Sequence, residues 1–416
     1  MRHCWLLLLC SFSFLFPAQV SAVDFNNIHI NGFISQGYLN SSGNNFLADS
    51  ENGSFQINEV GLTVTSQINP KLRLGMQFLS RDLGEEGNND VLLDWGFADY
   101  HYRDWLGVRI GKAKLPIGLY NEGRDSDFLR PMAFLPQSIY DENKRNLLVA
   151  AMGGHLYGNI PCGEYGDFDY QAFYGEINFD DDSGQWRAVE LNAQQIIAKR
   201  NQNLASQGSS VRYALDDFDI DNDWVYGASV IYNTPLRGLR CGFSWFEGTS
   251  DFDIKVLNLE SGQVTEEDGQ GRNKHFWVLS LEYATPLFTL ASEYSESQPI
   301  KKVMGVTLTD QVTQSWYGML TWHLTEQVGV SLLYDVFYAD KDDKDGDNLV
   351  AKGMPDYYGW RKDLGIGVRY DVNYNWVVKA EYHDIDGASL NLPIYNLPDE
   401  TQRDWSYYIL KASFNF

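Results

Sequence analysis

Residues 404–416 read DWSYYILKASFNF, and the reading of this stretch decides the fold. In an extended chain successive side chains point to opposite faces. Phe416, Phe414, Ala412, Leu410 and Tyr408 therefore share one face, while Asn415, Ser413, Lys411 and Tyr407 fall mostly on the other. The stretch predicts a strand with one apolar and one polar side that runs out to an aromatic. Chain termini are usually polar and frayed, so a sheet in water rarely ends this way.

The other end of the chain points to export. Arg2 and His3 precede an apolar run over 5–16, and Pro17 then leads to Val20-Ser21-Ala22, small residues of the kind a signal peptidase needs. Residues 1–22 have the proportions of a secretory signal peptide, and their apolar run is too short to cross a bilayer as a helix. Cys10 follows Leu9 where lipid attachment needs a small residue, so lipidation is not expected. Residues 23–416 read as a single unit with no linker and no solenoid repeat. They contain no run of about 18 apolar residues, which argues against a helical membrane protein. The negative mean hydropathy is compatible with membrane strands, because a lipid face and a polar lumen face average to the value of a soluble protein. Aromatics at 14% suit interfacial girdles.

From residue 23 onward one pattern recurs: strand, long polar loop, strand, tight turn. The first strand alternates Ile28, Ile30 and Ile34 against His29, Asn31 and Ser35. The second sets Val60, Leu62 and Val64 against Glu59, Thr63 and Thr65, and turns at Asn69-Pro70. The third sets Leu72, Leu74, Met76 and Phe78 against Arg73, Gly75, Gln77 and Arg81. Turns at Asp104-Trp105, Thr234-Pro235, Thr285-Pro286 and Thr325-Glu326 continue the rhythm. Residues 91–103 and 147–157 are strands whose inward face the pattern leaves open. The longest loop is expected at 178–223, with a weak helical pattern over 185–200, and another loop is expected between Phe246 and His275.

The count is sixteen strands, with eight long loops and seven tight turns in alternation. This predicts an all-β fold, a transmembrane antiparallel β-barrel with long external loops and short periplasmic turns. A β-sandwich has no reason to alternate loop length. Sixteen strands leave an aqueous channel where about eight leave a filled interior.

The third long loop, 114–146, is too apolar and proline-rich to be solvated: Leu115-Pro116-Ile117-Gly118-Leu119-Tyr120, Arg124-Asp125, Asp127, Arg130-Pro131, Phe134-Leu135-Pro136. The nearest surface for its apolar residues is the inner wall, so it is expected to fold into the lumen as a constriction. Here two resemblances become visible. The strand 404–416 resembles the closing strand of Gram-negative outer-membrane barrels, which implies that Phe416, Phe414 and Tyr408 are read by the barrel assembly machinery. The run from Arg109 to Gly118, with Arg124-Asp125 and Arg130-Pro131, resembles the strand and third loop of porins of the phosphate-selective O and P type, and of related dicarboxylate-type porins. That resemblance implies a homotrimer whose third loop narrows the channel and whose basic side chains line it. By position Arg109 matches the family's wall arginine, and Arg124 and Arg130 its loop residues. The sequence departs from the family in lacking a lysine cluster on another inward loop.

Read from the residues themselves, the polar faces carry both signs. Arg73, Arg81 and Arg109 form a basic stripe facing the third loop, with carboxylates such as Glu59, Asp99 and Glu293 elsewhere on the wall. Opposed charges across a narrow wet gap order small polar solutes; ordinary lumen ion pairs are the blander account. The candidate pore residues are Arg73, Arg81, Arg109, Arg124, Asp125, Asp127 and Arg130.

Net charge is −24, or −25 without Arg2, which excludes a nucleic-acid partner. Acidic runs at 180–182, 216–223, 266–268 and 340–347 fall in expected external loops, where they would hold divalent cations that bridge to lipopolysaccharide. Unchanged thermal stability after chelation would count against that bridge. Residues 343–347 have the spacing of a calcium loop, but Met354 stands at the twelfth position, so a solvated acidic loop is expected and no metal or cofactor. Cys162 and Cys241 lie two strands apart, roughly 10 Å, beyond disulfide reach unless the turn carrying Cys162 bends over. No catalytic motif is present, and His275, His323 and His383 have no evident partner, so no enzyme is expected. The expected function is a passive diffusion porin for small hydrophilic solutes, leaning to anions such as phosphate or carboxylates, among the lipids of a Gram-negative outer membrane. The rival is a non-conducting barrel acting as adhesin or structural anchor, which predicts a plugged lumen.

Overall fold

The computed structural model describes residues 27–84, 86–177, 183–391, 396 and 400–416; the expected signal peptide and the acidic run 180–182 lie outside them. The strands are β1 (Ile28–Ser42), β2 (Asn58–Asn69), β3 (Leu72–Asp82), β4 (Val91–Arg103), β5 (Leu106–Lys114), β6 (Ala150–Pro161), β7 (Asp167–Glu176), β8 (Tyr213–Asn233) and β9 (Leu239–Asn258). They continue as β10 (Val264–Ala284), β11 (Phe288–Val303), β12 (Val306–Thr309), β13 (Thr313–His323), β14 (Val328–Tyr338), β15 (Trp360–Asp371), β16 (Trp376–Asp386) and β17 (Asp404–Asn415). Consecutive strands pair antiparallel, and β1 pairs with β17, Ile34 opposite Phe414, so the sheet closes on itself. β12 is a short flap on the end of β11, which goes on to pair directly with β13. Sixteen strands therefore form the wall, and tight turns gather at the end that also holds the start of β1 and the end of β17.

Period-two alternation is what makes these segments strands of a membrane cylinder. Ile30, Leu62, Met76, Leu279, Leu332, Ile366 and Leu410 all stand exposed on the outer face, which hydrocarbon covers. Leu410→Arg is expected to destabilise the barrel by about 2–4 kcal/mol, the cost of a cation near the bilayer midplane. A urea titration of folding into phospholipid vesicles measures it, and an unchanged midpoint would mean that this face does not meet lipid.

The two undecided strands now have a phase. In β4, Gln77 pairs with Trp95 while Phe78 pairs with Leu93, so Asp94 is an extra residue that flips the alternation. In β6, Met152, Leu156 and Ile160 face outward, and buried His155 stacks on Phe173 inside.

The main correction concerns the external side. β8 to β11 span 21, 20, 21 and 16 residues, against about 9–11 needed to cross a bilayer. Much of what reads as loop at 178–223 and between Phe246 and His275 is thus raised sheet. Its inner face buries Ile220, Phe252, Ile254 and Val256 against Val189, Ala193 and Ile197 of a helix, Gly184–Ser206. This helix is longer than the expected 185–200, and the Ser183 hydroxyl caps it by accepting from the Trp186 N–H at 3.2 Å. The acidic residues at 216–223 and 266–268 are strand residues too, with Asp217, Asp219, Asp253, Glu266 and Asp268 turned to water. Cys162, in the β6–β7 turn, and Cys241, in β9, are unpaired.

Candidate functional site

The loop between β5 and β6, residues 115–149, lies inside the barrel, as its composition predicts. Leu115, Ile117, Met132, Leu135 and Ile139 form one buried cluster with inward residues of β7 to β14, among them Phe173, Val225, Val278, Tyr317 and Leu333. Phe134 joins a second cluster on the opposite wall with Phe46, Trp405, Tyr407 and Ile409. The loop thus spans the lumen from side to side, and burial of its apolar residues is the driving force.

Three polar anchors fix its course. At the first, Asp127 accepts from the Ser413 hydroxyl at 2.6 Å and pairs with Lys411 at 2.9 Å and with Arg130. Lys379 donates to the carbonyls of Asp127, Arg130 and Met132 at 2.6, 2.9 and 3.0 Å. Arg369 donates to those of Phe128 and Arg130. Burial alone would raise the Asp127 carboxyl, but Arg130, Lys411 and Lys379 outweigh it and hold it well below the usual carboxylate range.

At the second, Glu142 pairs with Arg124 at 3.0 Å and Arg81 at 3.1 Å, and Arg145 pairs with Asp94 at 2.6 Å and Asp125 at 2.5 Å. Asp125 also meets Lys114 and accepts from Gln77 at 3.3 Å. Burial pushes Glu142 up, yet its arginines keep it below its ordinary value. At the third, Glu293 of β11 accepts from the Leu119 N–H at 2.8 Å, the Tyr140 and Tyr317 hydroxyls at 2.5 and 2.8 Å, and the Ser280 hydroxyl at 2.5 Å. Beside it the Gly118 N–H donates to Ser244 and the Ser138 N–H to Asp335.

These contacts correct the reading of the candidate residues. Arg81, Arg124, Asp127 and Arg130 are between 2% and 7% exposed and hold the loop to the wall, while Asp125, equally buried, also borders a cavity of about 470 Å3 below the loop. The cause is desolvation: an ion leaving water on a docked loop is stable where an opposite charge meets it. Arg73 reaches water and pairs with Asp99 at 3.0 Å. Arg109 differs from all of them. Its nearest carboxylates, Asp99 and Glu122, stand at 3.8 and 3.9 Å, and its Nε has no hydrogen-bond partner. Its guanidinium lies over the rings of Tyr157 at 4.4 Å and Phe97 at 5.4 Å. Glu142, Arg145, Asp94 and Tyr140 were not singled out from the sequence. Their only signal there is charge or hydroxyl on inward or loop positions.

His383 does find a partner, Asp363, at 2.8 Å, and it stacks on Tyr407 at 4.4 Å. All three are about 1% exposed, sealed between wall and loop, so the pair has no access to a substrate. Two cavities open below the loop, toward the tight turns. One of about 470 Å3 is lined by Phe33, Trp95, Phe97, Arg109 and Glu122, the other of about 340 Å3 by Tyr120, Glu282, His323, Arg369 and Asp371. Leu129 borders both.

No family model and no curated protein matches the sequence. Solved structures do match. OmpF of Salmonella typhi, in complex with daunomycin, is 14% identical, covers 94% of this chain and 99% of its own, and superposes with a TM-score of 0.55. OmpT of Vibrio cholerae in its trimer form is 11% identical over 94% and 99%, with a TM-score of 0.53. An anion-selective porin of Comamonas acidovorans is 11% identical over 94% and 99%, with a TM-score of 0.50. At these identities the likeness is one of fold: the chain is a closed sixteen-stranded barrel of the outer-membrane porin kind.

Proposed function

We propose that the protein is a porin of a Gram-negative outer membrane, a passive channel for small hydrophilic solutes. The observation that carries this reading is the wet half-lumen under the third loop, where the pairs Arg73–Asp99, Arg240–Glu282 and Arg369–Asp371 remain partly exposed. A barrel filled only for stability would cover such pairs. We propose a homotrimer, on the precedent of the OmpT trimer and on the resemblance of residues 109–131 to O- and P-type porins. Outer-membrane lipid and lipopolysaccharide are its proposed surroundings, and the barrel assembly machinery the proposed reader of Phe416, Phe414 and Tyr408.

The anion leaning is not carried forward. Arg124 and Arg130, which the resemblance places along the passage, are neutralised by Glu142 and Asp127. Planar-bilayer recording of the purified protein is expected to give stepwise currents with a reversal potential near zero in a KCl gradient. Insulating membranes would overturn the channel and favour the closed anchor or adhesin, a reading supported by the loop's attachment to both sides of the wall.

A further inference from the structure

The inner wall of a porin is polar because it faces water, and the apolar side chains on most of this wall are accounted for by the loop packed over them. One group is not. Phe33, Trp95, Phe97 and Tyr157 project inward on β1, β4 and β6, outside the buried clusters, and each is only half-buried. Three of them, with Arg109, line the 470 Å3 cavity.

These rings are laid along the wall. Phe33 and Tyr157 lie across their cross-strand partners Gly61 and Gly107, where any Cβ would collide with the ring. Covering a bare glycine backbone explains the tilt of each ring. Tyr157 carries the Arg109 guanidinium over its ring at 4.4 Å, while Phe33 borders the cavity. Trp95 and Phe97 stack at 5.3 Å beside them. Over this platform Arg109 stands between Asp99 and Glu122, too far from either for a hydrogen bond.

We propose that this platform is a saccharide-binding subsite of the channel, an inference that deepens the porin reading and rests on it for delivery of the solute. The C–H face of a sugar ring is weakly positive and meets the negative face of an aromatic quadrupole. Its hydroxyls both donate and accept, so one hydroxyl can bridge the 3.9 Å gap between Arg109 and Glu122. Gln77, Thr63 and Asn31 border the same cavity and offer both kinds of partner. Local charge selects against ions: an anion on Arg109 also meets Asp99 and Glu122, a cation meets Arg109, and Lys114 and Asp125, which line the same cavity, pair with each other. A volume of about 470 Å3 lies within the span of small-molecule sites.

Maltose, titrated against the full-length protein both in planar bilayers and by calorimetry in detergent, tests this. Maltose is expected to lower the open-channel current saturably at millimolar concentration. Trp95→Ala is expected to raise the half-effect concentration about tenfold. Phe97→Leu and Arg109→Gln should each raise it several-fold, read against each variant's own open current. A heat-modifiable band on gels checks that every variant forms the barrel. A conducting wild-type channel indifferent to maltose, a block by benzoate but not maltose, or a Trp95→Ala channel with unaltered block would overturn the subsite. If the wild type passes no current, the channel reading fails separately and calorimetry decides: saturable maltose heat, lost in Trp95→Ala, upholds the subsite, and its absence overturns it.

Discussion

Asp127→Asn is expected to detach the third loop from one wall and raise the open-channel current several-fold. The carboxylate is 3% exposed and sits among Arg130, Lys411 and Lys379. Removing one partner from such a buried set leaves uncompensated charge, at a cost of about 3–5 kcal/mol. The barrel wall keeps its own hydrogen bonds, so the loop should yield before the cylinder does. Single-channel recording together with the temperature of the heat-modifiable gel shift reads both effects, and a variant unchanged in each would mean that the ion cluster does not hold the loop. The pH dependence has a definite sign. Asp127 and Glu142 are held below the ordinary carboxylate value, so their stabilisation is complete above that value and is lost only as pH falls through the depressed one. Neither of these two carboxylates should therefore release the loop above about pH 4, which the current recorded at falling pH reads.

Glu293→Ala is expected to loosen the far side of the loop. Four donors, from Leu119, Tyr140, Tyr317 and Ser280, converge on this carboxylate. Each donor left buried without a partner costs about 1–3 kcal/mol, partly relieved where the hydroxyls turn elsewhere, so a loss of about 4 kcal/mol is expected. Trypsin cleavage after Arg124 or Arg145, blocked in the folded protein by burial, reports the release. Cleavage resistance equal to wild type would show that the apolar cluster suffices without Glu293.

The barrel was legible because alternation is local: Ile28, Ile30 and Ile34 declare a face without reference to any other strand. The raised hairpins were equally written and misread. Phe218 and Ile220 alternate with Asp217, Asp219 and Asp221, and Phe252 and Ile254 with Asp251 and Asp253, which is strand periodicity. The density of aspartate suggested solvated loop, although the acids occupy one side and the buried residues the other. The fate of the loop arginines was not legible at all. Arg124 depends on Glu142, 18 positions on, and Asp127 on Ser413, 286 positions away. Whether a lumen arginine meets water or a carboxylate depends on such distant partners, and position within a motif does not supply them.

The attachment of Asp127 has a bearing on assembly. Lys411 and Ser413 belong to β17, and Glu59, which completes the cluster at 2.5 Å from Lys411, belongs to β2. Between these strands runs β1, whose pairing with β17 is the seam of the cylinder. The loop is therefore riveted across the join, and an unzipped barrel lacks this one of its three anchors. Closing the wall and completing the loop's attachment become one event, so a half-finished cylinder holds its constriction from the remaining sides only.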